Sequence, residues 1–105
     1  MKNKAVIDFD EIDRIIHEPA RLKIMICLSM MYKIDFNGLL YHTKLSRGNL
    51  SVQLQRLEAA GYIEIEKTFE KRVPRTIAII TDAGTKALRI YKDNLRSILD
   101  SEKPE

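Results

Sequence analysis

An α+β fold, mostly helical, is what this chain predicts, and three observations carry that prediction. Apolar residues recur at helical spacing through most of the sequence, from Phe9 to Ile98. Two short runs, residues 62–66 and 76–80, alternate instead with the period of two that belongs to half-buried strands. Between them lies Lys71-Arg72-Val73-Pro74-Arg75, a cationic tip for the hairpin that the two strands form.

The elements follow in order. Phe9, Ile12, Ile15 and Ile16 step at helical spacing among Asp10, Glu11, Asp13 and Arg14, which predicts an amphipathic helix over about 8–16. Pro19 fits the first turn of a second helix, about 18–31, where its missing N–H has no role. That helix carries Leu22, Ile24, Met25, Ile26, Cys27, Leu28, Met30 and Met31 on nearly every side and is expected to be central and buried. Ile34-Asp35-Phe36 reads as an extended link, and a short third helix covers 37–43 with Leu39 and Leu40 inward. Lys44-Leu45 makes a turn, and Ser46 is suited to cap the next helix. Leu50, Leu54 and Leu57 form the inward stripe of that helix, 46–60, and Gly61 ends it. After the hairpin, Thr81 or Asp82 caps a last helix over 82–99, followed by a polar tail, 100–105, expected to be flexible.

Length and composition bound the answer further. At 105 residues the chain is expected to form one domain, 1–105. Its net charge of +3 is modest but unevenly placed. Residues 41–76 hold Lys44, Arg47, Arg56, Lys67, Lys71, Arg72 and Arg75 against four carboxylates, whereas acids outnumber bases in residues 1–20. A local basic patch on a near-neutral chain is what a phosphate-binding surface needs. A single cysteine, Cys27, excludes an internal disulfide, and no Cys/His set has zinc spacing. His17 and His42 stand alone and read as structural or surface residues, and Met25, Met30 and Met31 read as core filling. The longest apolar run, residues 24–31, is too short to span a bilayer. No Gly-rich phosphate loop, nucleophile–base set or paired carboxylates in an apolar setting point to catalysis. A cytoplasmic, non-enzymatic protein without cofactor is expected.

The helix over 46–60 carries the chemistry. Away from its leucine stripe lie Gly48, Asn49, Val52, Gln55, Arg56 and Ala59, with Ser51 and Gln53 at the margins, Ser46 at the cap and Arg47 in the first turn able to swing outward. No acid occurs between Ser46 and Leu57, so nothing on that face repels phosphate. Arg, Asn and Gln side chains can bridge two atoms of a base edge, and Val can meet the thymine methyl. Lys44, Lys71, Arg72 and Arg75 would hold the phosphate backbone beside it. A short helix pair followed by a hairpin with a cationic tip is the winged helix-turn-helix, here with extra N- and C-terminal helices. Its expected partner is double-stranded DNA. A winged-helix module docked on a larger protein complex is the rival reading, and a contiguous apolar face on 46–60 would have favoured it. Leu88, Tyr91, Leu95 and Ile98 form a two-heptad apolar seam on the last helix. Together with Phe9 and Ile12 of the first helix, this seam suits a two-fold interface between copies.

The motifs Ile16-His17-Glu18-Pro19-Ala20-Arg21-Leu22, Phe36-Asn37-Gly38-Leu39, Leu45-Ser46-Arg47-Gly48-Asn49-Leu50-Ser51, Leu57-Glu58-Ala59-Ala60-Gly61-Tyr62-Ile63 and Thr81-Asp82-Ala83-Gly84 also carry a resemblance. Over residues 11–99 the chain resembles the winged-helix transcriptional regulators of prokaryotes, near the MarR and ArsR families, of the small single-domain type. The resemblance implies a homodimer held by its terminal helices, whose recognition helices read successive major grooves of an inverted repeat. It places Arg47, Asn49, Ser51, Val52, Gln53, Gln55 and Arg56 in the recognition helix and Lys71, Arg72 and Arg75 in the wing. Metal-sensing members carry Cys or His clusters, which this chain lacks.

Overall fold

The computed structural model describes residues 8–101. Residues 1–7, and residues 102–105 of the tail expected to be flexible, lie outside them. Seven main elements follow in order: α1 (Pro19–Met31), β1 (Lys33–Asp35), α2 (Phe36–Thr43), α3 (Arg47–Ala59), β2 (Ile63–Glu70), β3 (Val73–Ile80) and α4 (Asp82–Leu99). Three of the expected elements differ.

The amphipathic helix expected over 8–16 is instead a 3-10 turn, Phe9–Glu11, followed by irregular turns. Acidic side chains there take the N–H groups that a helix would have used: Asp8 accepts from Asp10, and Asp13 from Ile15 and Ile16. Such local bonds compete with helix formation. The apolar spacing still works, because Ile16 is fully buried and Ile12 and Ile15 pack against the core. Asp13 also accepts from the Tyr62 hydroxyl at 2.6 Å, which fastens this segment to the start of β2.

The link at Ile34-Asp35 is a strand. β1 pairs antiparallel with β3, Lys33 opposite Ile79 and Asp35 opposite Ile77, so the sheet has the order β1-β3-β2. Three residues are too few to display a period of two, which is why the sequence reads only as extended. β2 and β3 in turn run further than expected, from Ile63 opposite Ile80 out to Glu70 opposite Val73. Pro74 therefore lies in a strand opposite Phe69 rather than in a loop. β1 stops at Ile77, so β3 is an edge on that side of Pro74, where a missing donor is tolerated.

Helix α1 begins at Pro19 with Glu18 as its cap. It buries Ala20, Ile24, Met25 and Leu28 but leaves Ile26, Met30 and Met31 exposed, so it is central without being enclosed, and two of the methionines are surface residues. Cys27 is half-buried against the core, and that burial pushes its thiol pKa up. The core gathers Ile16, Ile24, Met25, Leu28, Leu39, Leu50, Leu54, Leu57, Ile63, Ala78 and Ile80 around α1. Leu88 and Tyr91, expected at an interface between copies, also lie in this core, 2% and 3% exposed. Tyr91 shares a hydrogen bond with Nδ1 of His17 at 2.8 Å, and His42 meets the Tyr41 ring edge-on. Leu95 packs on the core, Ile98 is half-buried and Phe9 is exposed.

Candidate nucleic-acid interface

Thr43 and Lys44 set the angle between α2 and α3. Lys44 adopts the left-handed conformation, φ 59°, that ends α2, and the buried Thr43 hydroxyl accepts from the Leu45 N–H. Ser46 is then the α3 cap, its Oγ accepting from the Asn49 N–H at 3.1 Å. The inward stripe is Leu50, Leu54 and Leu57, as its spacing predicts. Gly61, at φ 81°, closes α3 by returning its own N–H to Glu58 and the Tyr62 N–H to Leu57. Of the outward set, Ser46, Arg47, Asn49, Ser51, Val52, Gln55 and Arg56 are exposed and Gln53 is half-buried. Arg47 swings out as expected and lies over the Phe36 ring, 5.1 Å from its centroid, while Lys44 lies over Tyr41.

The wing is the outer half of the β2–β3 hairpin. Its two-residue turn, Lys71-Arg72, has φ of 52° and 69°, the positive pair of a type I′ connection. Both cations are exposed, as are the neighbouring Phe69 and Val73. Arg75 is placed differently. Its side chain stands on the sheet face shared by Asp35 and Glu70, donating to the Asp35 carboxylate at 2.6 Å and to Glu70. Hydrogen bonds to these two carboxylates hold the guanidinium above its ordinary pKa. Asp35 is meanwhile the α2 cap: the Gly38 N–H, foremost, and then Arg75 hold its carboxyl below the usual carboxylate range. The wing is thereby tied through Arg75 to the start of the helix pair.

Arg47, Lys71, Arg75, Phe36 and Asn37 line one open cleft of ≈ 650 Å³ between the first turn of α3 and the wing. The helix tip and the hairpin tip thus face a common space. Asp35 and Glu70 stand on its wall, so the free cations there are Arg47 and Lys71. Sequence reasoning left out Arg21 of α1. Its side chain, 12% exposed, donates through Nη1 to the Gln53 amide oxygen at 2.7 Å and through Nε to the Ile15 carbonyl. No periodicity could have revealed it, since its partner lies 32 positions away. Among the described residues no group of three His, Cys, Asp or Glu comes together that could hold a metal, and no helix is long and apolar enough to cross a membrane.

Known proteins bear on this arrangement. An uncharacterized protein of Methanocaldococcus jannaschii is 33% identical over 78 residues, 74% of this chain and 85% of its own. The structure of a transcriptional regulator homologue from Pyrococcus horikoshii OT3 superposes with a TM-score of 0.79 and 32% identity, covering 84% of this chain and 87% of that one. A MarR family transcriptional regulator from Streptomyces coelicolor, Sco3205, solved in complex with DNA, has the same fold at a TM-score of 0.56 and 24% identity, over 90% of this chain and 67% of that one. Residues 20–99, from the start of α1 to the end of α4, match the winged helix DNA-binding domain. With its capped helix pair, an α3 free of acids up to Leu57 and a cationic hairpin, the chain belongs to the winged helix DNA-binding domain family.

Proposed function

We propose that the protein is a sequence-specific transcriptional regulator that works in the cytoplasm as a homodimer on an inverted-repeat operator, with residues 1–105 acting as one DNA-binding domain. The observation that carries the reading is the shared cleft. α3 presents Asn49, Ser51, Val52, Gln55 and Arg56 outward with no acid among them, and the wing tip stands across the cleft from its first turn. The recognition helix enters the major groove and chooses the sequence, while Lys44, Arg47, Lys71 and Arg72 hold phosphate. Arg75, engaged by Asp35 and Glu70, serves as the strut that sets the wing.

Dimerisation is supported by what the subunit leaves uncovered. A groove of ≈ 360 Å³ between α1 and the outer half of α4 is lined by Leu22, Ile26, Leu95 and Leu99, and Leu99 is 72% exposed. In the proposed dimer a second copy covers this apolar face, and the two α3 helices read one side of a duplex. Half-sites would then lie roughly 34 Å apart, one helical turn.

Mobility shifts on random and genomic duplexes across a salt series test the reading. Binding that weakens steeply with salt and favours particular sequences is expected. Retention on no duplex at low salt would overturn it. For the assembly, light scattering should give two copies for the native chain and one for Ile26→Glu/Leu99→Glu; a native monomer bound to DNA would remove the dimer and keep the rest.

A further inference from the structure

Phe69 takes no part in the core and is 73% exposed, and its cross-strand partner on the wing is Pro74, exposed as well. β1 stops opposite Ile77, so this pair stands on the free part of the hairpin, roughly 10 Å beyond the end of β1. Successive strand residues alternate between the two faces of a sheet. The register therefore puts Phe69 and Pro74 on one face with the pairs Lys67–Thr76 and Ile65–Ala78. Nearer the body that face buries Ile63, Ala78 and Ile80 in the core, so it is the side on which the helices pack. Pro74 and Thr76 line the cleft that also holds Arg47 of α3. The hairpin carboxylates, Glu64, Glu66 and Glu70, all fall on the opposite face, together with Arg75. On the face of Phe69 the one charged strand residue is Lys67, and Lys71 and Arg72 close its outer end. None of these three cations pairs with a carboxylate among the described residues.

An apolar pair framed by cations, on an acid-free face turned to the side of the helices, fits the minor groove of a duplex held by α3. Phosphates line the two rims of that groove, and stacked base pairs lie between them. Apolar side chains, Phe and Pro among them, enter it by parting a base step, which kinks the duplex. The cost of parting depends on sequence, and TA and CA/TG steps yield most readily. The ion pair of Arg75 with Asp35 stiffens the hairpin that carries the ring, so little ordering remains to be done on contact. We propose that Phe69, backed by Pro74, is a wedge that opens one base-pair step in the minor groove beside α3. It bends the operator there and selects a pyrimidine–purine step at a position that α3 does not touch. The proposal rests on the reading of α3 as the recognition helix.

The test takes the site that the full chain selects from a randomised pool and measures its bend by energy transfer between end labels. The native chain should bend it by about 20° or more. Replacing the selected pyrimidine–purine step with an A-tract step should weaken native binding roughly tenfold. Phe69→Ala should leave the duplex straight and bind both versions equally, with the slope of log affinity against log salt unchanged because no cation is lost. Phe69→Leu, which keeps an apolar wedge, should retain the bend and the step preference. Circular dichroism checks that both variants fold. 2-Aminopurine placed at the step should brighten when the native chain binds, a readout that needs no variant. A selected site that stays straight and stacked under the native chain overturns the wedge alone. So does a folded Phe69→Ala that bends the duplex and prefers the step as the native chain does, or one that changes the number of copies in light scattering, since a second subunit then covers the ring. A native chain that enriches no sequence overturns the recognition reading itself, and the wedge falls with it.

Discussion

Arg72 and Arg75 are three positions apart on one hairpin, and their surroundings give them different tasks. Arg72 is exposed at the turn, whereas Arg75 lies between Asp35 and Glu70, only 35% exposed. A cation that neutralises phosphate releases a counterion, and its loss flattens the plot of log affinity against log salt by about one unit. A cation already neutralised within the chain releases none. Arg72→Ala should therefore weaken binding on all sequences and reduce that slope by about one. Arg75→Ala should weaken binding with the slope nearly unchanged, because it frees the wing without removing a phosphate contact. Equal flattening by both variants would return Arg75 to the phosphate-holding set. The sequence discloses the charge of Arg75 but not its partners. Asp35 comes beside it only through the β1–β3 pairing, across 40 residues. Local spacing was enough for Ser46, Asn49 and the leucine stripe, since a helix places neighbours by the sequence alone.

At the scale of elements, the junction of α3, β2 and α4 depends on Gly84. A β-carbon built there would stand 2.1 Å from the Tyr62 carbonyl oxygen, against backbone that cannot step aside. Thr81 caps α4 at this point, its hydroxyl accepting from the Gly84 N–H and donating to the Gly61 carbonyl. Gly84→Ala should thus cost about 3 kcal/mol, read as a shift of the urea unfolding midpoint. A shift within the error of the measurement would mean that α4 slides at no cost. Elements with caps and long periodic faces were legible: α1, α2, α3 and α4 begin within one residue of their expected starts. Elements decided by long-range pairing or by side chains competing for backbone were not. β1 exists because β3 offers it an edge, and the expected helix over 8–16 gives way because Asp8 and Asp13 take its amides. The outer halves of β2 and β3 have no buried face, so no alternation marks them.

For the whole molecule, the seam on α4 shows where sequence stops being informative. A helical row of apolar residues announces a buried face without saying whether the same chain or a second copy covers it. Leu88 and Tyr91 are covered from within, and the large apolar residues that α4 leaves exposed are Ile90 and Leu99. Tyr62 ties the molecule together at a different point and makes its stability depend on alkaline pH. Burial, and then the hydrogen bond to the Asp13 carboxylate, push its pKa up to about 12. The unfolded chain releases that proton near pH 10. Stability from this group is therefore complete below about pH 10 and is lost as pH rises toward 12. Tyr62→Phe should be less stable than the native chain at neutral pH, with the gap closing across that window in parallel urea titrations. A gap independent of pH would detach the hydroxyl from the alkaline transition.

The turn at Lys71-Arg72 bends through two positive φ angles, a geometry that favours asparagine and glycine. Long cationic side chains occupy it instead, so heat tolerance and grip on a polyanion pull against each other at the same two residues. Lys71→Asn/Arg72→Gly should melt at a higher temperature than the native chain while losing its hold on nucleic acid.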